Sequence, residues 1–461
     1  MSNLPLNIFR AYDVRGRVND ELTEENTRLI GHAFANRAAT QGHNSVLVAG
    51  DVRCSTDALR TALQRGLNDG GVNVIDIGTV PTPVLYFAIH ELKVPAGIVI
   101  TGSHNPPEYN GLKFVLDYVP FAADELLDLH RLIANDSLTK GSGSVSQQHV
   151  LDSYVDRIID DIKLERSLHI AVDCGNGVTG VLVPRLFEVL GCEVIPMFNE
   201  LDGTFPNHHP DPVDPKNLQQ LLQTVDHHVL DFGIAFDGDG DRIGVVTQNG
   251  TIVSADTLLA YLAKDILQRR PSAPIVLDVK CGTNALKSIH ASGGQAVLEK
   301  TGHTNIKAKI REIDAPLGGE FSGHICFADR WYGFDDALYT ACRFLESVSR
   351  DPEDFKNFLD MLPPTSATPE IEVRVPDSEK FDLVEEFGQA SSFDQGEVIT
   401  IDGVRVNFPD AWGLIRASNT SPKIVMRFEA STPARLHETQ ELFFEQLRHV
   451  APHLEIPDAT D

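Results

Sequence analysis

The strongest constraint on the fold of this chain is a pattern of three apolar runs that occurs three times. In each copy a stretch with helical periodicity separates the first run from the second, and the third run ends in a polar loop. Apolar runs without alternation are typical of strands in a largely parallel sheet that helices cover on both faces. The repeat therefore predicts three α/β domains of one topology. Copy by copy, the runs are SVLVAGDVR, GGVNVIDIG and AGIVITGSHNP; HIAVDCGNG, GCEVIPMF and DFGIAFDGDGDR; PIVLDVKCG, GGQAVLEKTGH and GGEFSGHICF.

The richest polar segment of each copy comes directly after the third run. Ligands of α/β sheets bind beyond the carboxyl ends of the strands. We therefore expect the three domains to present their functional loops from the same edge.

Three connectors divide the chain into four predicted domains. Residues 135–150 are rich in Ser and Gly, residues 247–256 contain an Asn-Gly turn, and residues 362–375 are rich in Pro and Thr. Beyond the last connector the pattern changes to an alternating strand, a helix, a hairpin around Asp402 and Gly403, two more strands and an amphipathic helix. The predicted domains are 1–148, 149–251 and 252–363, all α/β, and 364–461, which is α+β.

The charge of the chain narrows the classes of partner. Lysines and arginines number 39 against 66 acidic residues, which gives a net charge of −27. A surface this negative repels nucleic acid and anionic lipid, so we expect neither a nucleic acid nor a membrane as partner. An anionic substrate would need the few basic residues to be concentrated where it binds.

The N terminus and the cysteines indicate a cytoplasmic protein. The first residues, MSNLPLNIFRAYDVRG, lack the pattern of a signal peptide, and no apolar run approaches the ~18 residues of a membrane span. The six cysteines are widely spaced and form no CxxC motif, which favours free thiols in a reducing compartment. No feature of the sequence sets the oligomeric state, and a monomer is the working expectation.

Three aspartates alternate with glycines in the segment DGDGDR, directly after an apolar run. The carboxylates of Asp237, Asp239 and Asp241 can converge on one small, hard cation such as Mg²⁺. An EF-hand loop would require glycine at its sixth position and glutamate at its twelfth, where this chain has Arg242 and Gln248. An acidic surface turn is the other alternative, although paired glycines at a strand end are costly for solubility alone.

Ser103, in the segment TGSHNP, is the candidate carrier of a phosphoryl group. Magnesium held by few protein ligands usually shares a phosphate oxygen, which makes phosphoryl transfer the leading hypothesis. Ser103 lies on a strand-end loop between Gly102 and His104, and Lys113 follows ten residues later. A turn-forming serine is the alternative. An α/β-hydrolase elbow is excluded, because Gly-x-Ser-x-Gly is absent around this serine.

Two further loops suit the recognition of a sugar phosphate, although each could be an ordinary polar turn. The segment RASNTSPK combines a guanidinium with hydroxyl and amide donors, as phosphate-binding loops do. The segment GEFSGH offers a carboxylate, a hydroxyl and an imidazole, which suit the hydroxyls of a sugar and a proton transfer near neutral pH. Their candidate residues are Arg416, Ser418, Asn419, Thr420 and Lys423, and Glu320, Ser322 and His324.

These four segments, in this order, resemble the signature loops of the α-D-phosphohexomutases, and the resemblance covers nearly the whole chain. Within that family the chain looks most like the bacterial phosphomannomutase/phosphoglucomutase group. The sugar loop of the group usually reads GEMSGH, so Phe321 is a departure, but one that leaves the polar residues intact. Four further stretches resemble the group: FRAYDVRG, GTFPNHHPDPVDPKNL, DVKCG and RWYGFDDALY.

The resemblance implies four domains around a central cleft: three repeated mixed α/β sheet domains and a C-terminal α+β domain. It implies reversible interconversion of hexose 1-phosphate and 6-phosphate, with mannose or glucose as the sugar, through a phosphoserine and a 1,6-bisphosphate. Mg²⁺ would be the cofactor, and glucose 1,6-bisphosphate or mannose 1,6-bisphosphate the activator. The sequence does not rank mannose against glucose.

The resemblance also assigns roles to individual residues. The catalytic residues would be Ser103, Arg15, Lys113, Arg242 and His324. The Mg²⁺ ligands would be Ser103, Asp237, Asp239 and Asp241. The substrate-binding residues would be Tyr12, Lys280, His303, Glu320, Ser322, Arg416, Ser418, Asn419 and Thr420.

Three alternatives remain at this point. A phosphoglucosamine mutase would carry SASHNP and GEQSGH where this chain has TGSHNP and GEFSGH. A sugar-phosphate binding protein on the same scaffold should have lost the serine or the metal carboxylates, and both are present. A Mg²⁺-dependent phosphatase would release free phosphate and would not require a bisphosphate.

Overall fold

The computed structural model describes residues 4–419 and 421–456 of the chain. These residues form four sheets, and three of the sheets share one strand order. The predicted fold of three repeated α/β domains followed by a C-terminal α+β domain is therefore confirmed. The exact domain limits stay a prediction.

The first sheet has seven strands in the order β1-β5-β4-β2-β3-β7, with β6 paired to β5. The elements, preceded by a 3-10 helix at Leu6–Ile8, are β1 Val14–Arg17, α1 Glu24–Thr40, β2 Ser45–Gly50, α2 Thr56–Asp69, β3 Asn73–Thr79, α3 Thr82–Glu91, β4 Gly97–Ile100, β5 Tyr109–Leu116, β6 Val119–Phe121, α4 Asp124–Ala134 and β7 Val145–Gln147.

The second sheet has five strands in the order β12-β11-β10-β8-β9. The elements are α5 Leu151–Asp161, β8 His169–Asp173, a 3-10 helix at Val178–Val181, α6 Arg185–Val189, β9 Glu193–Met197, α7 Gln219–His228, β10 Phe232–Phe236, β11 Ile243–Thr247 and β12 Ile252–Val253.

The third sheet has four strands in the order β14-β13-β15-β16. The elements are α8 Ala255–Arg269, β13 Pro274–Asp278, α9 Thr283–Ala291, β14 Gln295–Glu299, α10 His303–Glu312, β15 Leu317–Gly319, β16 Ile325–Phe327, α11 Ala337–Arg350 and α12 Pro352–Met361.

The three apolar runs of each repeat are the parallel strands of each sheet, and the structure adds a fourth, antiparallel strand that the sequence analysis did not identify. The order is always second run, first run, third run, added strand. The prediction of a largely parallel sheet therefore missed a recurring hairpin. The equivalent orders are β3-β2-β4-β5, β9-β8-β10-β11 and β14-β13-β15-β16.

The loops of these hairpins are the three polar segments singled out in the sequence. TGSHNP begins the connection from β4 to β5, DGDGDR connects β10 to β11, and GEFSGH lies between β15 and β16. Each loop leaves the carboxyl end of a parallel strand at the same place in its sheet. The hairpin explains why these segments cannot continue into a helix, as the chain must reverse to pair with the strand it has just left.

One hydrophobic core extends through the first three sheets. It contains Val99 from the first sheet, Ile234 from the second and Leu277 from the third, all completely buried. Packing of this extent fixes the three sheets against one another and so fixes the relative positions of their loops. Among the described helices, none is both long and apolar enough to cross a membrane.

The fourth sheet has six strands in the order β17-β22-β21-β20-β19, with β18 paired to β22. The predicted hairpin around Asp402 and Gly403 is present between β19 and β20. The elements are β17 Ser366–Ala367, β18 Ile371–Arg374, α13 Lys380–Ala390, β19 Glu397–Ile399, β20 Val404–Asn407, β21 Ala411–Ala417, β22 Lys423–Ala430 and α14 Pro433–Val450.

The two faces of the fourth sheet pack differently. The helices α13 and α14 cover one face through Phe387 and Phe443, which are completely buried. Trp412 and Leu414 from the other face pack on Val279, at the end of β13. The fourth domain thereby lies against the strand ends of the third.

Candidate active site

Ser103 lies against the aspartate loop of the second sheet. Its Oγ donates a hydrogen bond of 2.9 Å to Asp237 Oδ2, across 134 positions of sequence. The Ser103 backbone has a left-handed φ of 48°, and its N–H donates to Thr101 Oγ1. His104 Nδ1 lies 3.2 Å from the same Oγ. The fold therefore joins the two loops on which the phosphoryl-transfer hypothesis depends.

The three aspartates form a buried cluster whose carboxylate oxygens lie within 4.8 Å of one another. Asp237 Oδ1 accepts hydrogen bonds from the backbone N–H groups of Gly240, Asp241 and Arg242, at 3.0 to 3.1 Å. This backbone cradle explains the alternating glycines, because Gly240 has a φ of 79° and a Cβ there would lie 2.7 Å from Thr179. The loop holds its carboxylates at one point.

Lys113 contacts this cluster and not Ser103. Its Nζ donates to Asp239 Oδ2 at 2.7 Å and to Asp241 Oδ2 at 2.5 Å. The catalytic role that the resemblance assigns to Lys113 stays a prediction. A buried ammonium next to two buried carboxylates pairs with them because neither charge has water to solvate it.

The electrostatics of the cluster fit a cation. Burial and repulsion from Asp241 and Asp239 raise the pKa of Asp237 well above its usual value. At Asp239, burial opposes ionisation, but Lys113 outweighs it and the pKa lies below its usual value. The second oxygens of Asp239 and Asp241 are buried and accept no hydrogen bond from any described residue. Converging carboxylates with unpaired oxygens are a donor set suited to a hard divalent metal ion.

His324 connects the sugar loop to the aspartate loop. Arg242 Nε donates to His324 Nε2 at 3.0 Å, so the neutral ring carries its proton on Nδ1. That Nδ1 lies 3.1 Å from Asp335 Oδ2 and 3.5 Å from Asp241 Oδ1. His324 is thus held between a guanidinium on one side and two carboxylates on the other.

Asp335 is a central residue that the sequence analysis missed. Its Oδ1 accepts from Lys307 Nζ at 2.7 Å, and its Oδ2 lies 3.2 Å from His303 Nδ1. Burial and Lys307 lower the pKa of His303 to about 4, which keeps its ring neutral. In the sequence, Asp335 lies in the segment RWYGFDDALY, which was noted only for its resemblance to the bacterial phosphomannomutase/phosphoglucomutase group. Its paired aspartates were the available signal, and Asp336 is the N-cap of α11.

Three further predicted substrate-binding residues, Glu320, Ser322 and Lys280, lie in the third domain. Glu320 Oε1 accepts from Gly302 N at 2.5 Å, and burial raises the pKa of Glu320. Ser322 is half-buried in the turn of the same loop. Lys280 donates to Glu370 Oε1 at 2.9 Å and is almost completely buried.

The loop of the fourth domain reaches across to the first domain. Asn419 Nδ2 donates to the Tyr12 hydroxyl at 2.6 Å, which in turn donates to Thr301 O at 2.6 Å. Arg416 Nε donates to Asp402 Oδ2 at 2.8 Å. These contacts close the predicted central cleft, with Tyr12 from the N-terminal segment between the third and fourth domains.

Three predicted positions belong to the β21–β22 loop or the start of β22. Ser418 is buried, and its Oγ accepts from Ser421 N at 3.2 Å within the same loop. Thr420 lies outside the described residues. Lys423 turns away from the loop, and its Nζ pairs with Glu372 on β18.

Arg15 lies beside the serine loop. Its guanidinium donates to Asn105 Oδ1 at 2.6 Å and to Asp13 Oδ2 at 2.5 Å. With Lys113 and Arg242 it places three cations around Ser103 and the aspartate cluster. The chain has a net charge of −27, yet these cations line its cleft. Basic residues are therefore concentrated where an anionic substrate would bind.

Four family models match successive parts of the chain, and all four describe phosphoglucomutase/phosphomannomutase domains. Three describe α/β/α domains I, II and III, at residues 6–138, 152–250 and 254–365. The fourth describes the C-terminal domain, at residues 370–446. The chain belongs to the phosphoglucomutase/phosphomannomutase family. Family membership makes it an enzyme, a hexose phosphate mutase.

Curated relatives and a solved structure agree with this family. The phosphomannomutase/phosphoglucomutase of Pseudomonas aeruginosa is 46% identical over 454 residues, which cover 98% of each chain. The phosphoglucomutase of Neisseria gonorrhoeae is 42% identical and covers 96% of this chain and 97% of its own. The crystal structure of a phosphoglucomutase/phosphomannomutase family protein from Burkholderia thailandensis is 45% identical, covers 98% of this chain and 100% of its own, and superposes with a TM-score of 0.93.

Phe321, in the sugar loop, contacts the fourth domain. The guanidinium carbon of Arg427 lies 3.7 Å from the centre of the Phe321 ring and 5.1 Å from that of Trp412. A side-chain N–H of Arg427 also donates to Lys280 O. The stacked pair therefore connects the sugar loop to β22.

We expect Phe321→Met to keep kcat/KM within about thirtyfold of the wild-type value, because one cation–π contact with a buried guanidinium contributes about 2 kcal/mol. Arg427→Met loses the backbone hydrogen bond as well and should show the larger decrease. Steady-state assays of both variants measure the difference. A loss above a hundredfold for Phe321→Met would contradict this account.

Proposed function

We propose that this family member moves a phosphoryl group between the 1- and 6-positions of a hexose phosphate, with Ser103 as the group that carries it between turnovers. The observation that carries the proposal is the 2.9 Å contact from Ser103 Oγ to Asp237 Oδ2. It places a nucleophilic hydroxyl on the edge of a carboxylate cluster suited to a metal ion. Mannose and glucose phosphates are both proposed substrates.

Asp237, Asp239 and Asp241 are the proposed ligands of Mg²⁺, together with an oxygen on Ser103. When bound, Mg²⁺ would neutralise charge on the transferring phosphoryl group. Three carboxylates converge at this point, and two of their oxygens accept no hydrogen bond from the described part of the chain.

Transfer from Ser103 breaks the bond between its Oγ and phosphorus and forms a bond from phosphorus to a sugar hydroxyl oxygen. The product is a hexose 1,6-bisphosphate, and the return of its other phosphoryl group to Ser103 completes the isomerisation. Arg15, Lys113 and Arg242 are proposed to offset the negative charge of the group in transit. A free bisphosphate, glucose 1,6-bisphosphate or mannose 1,6-bisphosphate, would phosphorylate Ser103 and so act as activator.

His324 is proposed to orient Arg242 over the reacting phosphoryl group. Its Nε2 accepts from Arg242, and its Nδ1 faces Asp335 and Asp241. Transfer of the hydroxyl proton by His324 stays a prediction.

The far side of the cleft is proposed to bind the sugar and its second phosphate. Glu320 and Ser322 would bind sugar hydroxyls. The other proposed contacts are Tyr12, Lys280, His303, Arg416, Ser418, Asn419 and Thr420.

The decisive assay incubates the protein with Mg²⁺, a trace of glucose 1,6-bisphosphate, and mannose, glucose or glucosamine 1-phosphate in turn. Formation of the 6-phosphate of mannose or glucose is the expected result. Release of inorganic phosphate in place of isomerised product would indicate a phosphatase, and a preference for the glucosamine ester would indicate a phosphoglucosamine mutase. No 6-phosphate from any of the three would contradict the mutase proposal.

Arg416→Lys should raise KM for the hexose phosphate about tenfold and leave kcat nearly unchanged, because a guanidinium binds phosphate through two parallel hydrogen bonds that an ammonium cannot reproduce. A contact made equally in ground and transition states appears in KM alone. Arg374→Lys, on an exposed position of β18 in the same sheet, is the matched control and should change neither constant. A fall in kcat at constant KM for Arg416→Lys would contradict this role.

We also propose a cytoplasmic monomer. The six cysteines are free thiols, which suits a reducing compartment.

A further inference from the structure

Arg53 lies directly beneath the loop that carries Ser103, and the sequence analysis gave it no role. It follows β2, and its side chain is 0% exposed. Its guanidinium donates four hydrogen bonds to backbone carbonyls of the loop, at 2.5 to 2.9 Å. The four acceptors are the carbonyl oxygens of Ser103, Asn105, Pro106 and Tyr109.

The conformation of the loop requires a donor of this kind. Ser103 has a left-handed φ of 48°, which residues with a side chain rarely adopt. Four carbonyl oxygens directed at one buried point repel one another and have no water to bind. Arginine is the side chain with five N–H donors in a rigid, planar fork, so one guanidinium can satisfy all four.

Asp51 fixes the guanidinium in this place. Its Oδ2 lies 3.3 Å from Arg53 Nε and accepts from Gly102 N at 3.1 Å. Its Oδ1 accepts from Arg53 N at 3.0 Å and from Thr56 Oγ1 at 2.6 Å. The carboxylate therefore binds both the guanidinium and the loop, and Arg53 cannot shift without disturbing both.

The serine loop packs closely against Arg53 on one side and against the aspartate loop on the other. The position of Arg53 therefore also affects the position of the aspartate loop. A Cβ on Gly102 would lie 2.5 Å from Arg53 Cζ, and a Cβ on Gly238 would lie 2.5 Å from Ser103 O. The Phe205 ring, from the second domain, covers the guanidinium at 5.1 Å. The guanidinium packs on the serine loop, and the serine loop packs on the aspartate loop.

We propose that Arg53 is a positioning residue that holds Ser103 with its Oγ directed at Asp237. Arg53 binds the main chain of the loop and leaves the serine side chain free. Ser103 can therefore gain and lose a phosphoryl group while these four hydrogen bonds persist. The inference rests on the proposed role of Ser103, and it adds the structural element that keeps the serine in one geometry through both half-reactions.

Arg53→Lys in the full-length protein tests the inference, because an ammonium cannot reach four carbonyls at once. We expect kcat to fall about a hundredfold, since a displacement of about 1 Å at a reacting group costs this much. KM for the hexose phosphate should stay within about twofold, because the phosphate-binding loop lies in the fourth domain. Without substrate, amide hydrogen exchange in residues 102–109 should speed up about tenfold.

Arg343→Lys is the matched control. Arg343 is 2% exposed and donates to both oxygens of Asp329, at 2.7 and 2.9 Å, outside the cleft. The Arg343→Lys variant should be less stable than the wild type. It should keep the wild-type kcat and the slow amide exchange of residues 102–109. Equal kcat in wild type and Arg53→Lys, or exchange in this loop no faster than in Arg343→Lys, would overturn the inference.

Gly102→Ala is the second variant and covers the case in which Arg53→Lys does not fold. The added methyl would contact the guanidinium and displace it while every charge is kept. We expect the same fall in kcat at constant KM, and normal activity of this variant would also overturn the inference. A wild-type protein without mutase activity would contradict the proposed function only, because the exchange measurement needs no turnover.

Discussion

Replacing Ser103 by alanine is expected to lower kcat at least about a thousandfold, because the variant has no group that can hold the phosphoryl between the two transfers. Ser103 is 2% exposed, and its hydroxyl contacts Asp237 and His104. Removing one oxygen changes little else in the loop, whose position is set through backbone carbonyls.

Two measurements on Ser103→Ala separate a chemical defect from a folding defect. Intact mass after incubation with glucose 1,6-bisphosphate should show one added phosphoryl group on the wild type and none on the variant. Thermal unfolding should be nearly unchanged. Ser146→Ala, on the exposed strand β7, is the control and should retain full activity. Normal turnover by Ser103→Ala would remove the serine from the mechanism.

Asp239→Asn is expected to lower kcat/KM by about 10²–10³, the usual effect of removing one preorganised electrostatic contact to the transition state. The substitution keeps the size of the side chain and an acceptor oxygen for Lys113 and Thr82, which contact Asp239 Oδ2 at 2.7 and 2.6 Å. It removes one of three charges from the proposed Mg²⁺ site, so the affinity for the ion should fall as well.

Metal dependence provides the direct test of this second prediction. Chelation should abolish wild-type activity and added Mg²⁺ should restore it, with Asp239→Asn needing a higher concentration. Calorimetric titration with Mg²⁺ measures the affinity without turnover. Asp226→Asn, at an exposed position of α7, controls for the change in net charge. Identical Mg²⁺ titrations of wild type and Asp239→Asn would show that Asp239 is not a ligand.

The repeat was predictable because strand formation depends on local patterns. Continuous apolar runs marked β2, β8 and β13 and their partners without any knowledge of tertiary contacts. The added antiparallel strands β5, β11 and β16 were missed because each follows a polar loop, and the residues after the loop were not recognised as a separate strand. The loops become hairpins only when the chain after them pairs with the strand before them.

The residues of the candidate site also differ in how far they could be predicted from local sequence. Ser103 and the three aspartates were identified because their residue types and spacing indicate their chemistry. Arg53 was missed because a lone arginine after a strand carries no such pattern, and Asp335 was missed because a pair of aspartates before a helix does not by itself indicate a particular chemistry. Arg53 is important because four backbone carbonyls surround it, and Asp335 because a lysine and two histidines surround it.

The sequence alone determined the three repeated sheets, the polar loops that end their strands and the chemical character of each loop, since each depends on neighbouring residues. Tertiary structure alone decided that Lys113 binds aspartates and not the serine loop, and that Tyr12 meets Asn419 across 407 positions. Such contacts follow from how the first three domains pack through one buried core and how the fourth packs against the third. No local pattern encodes this packing, because it is the sum of many weak contacts between residues that are distant in the chain.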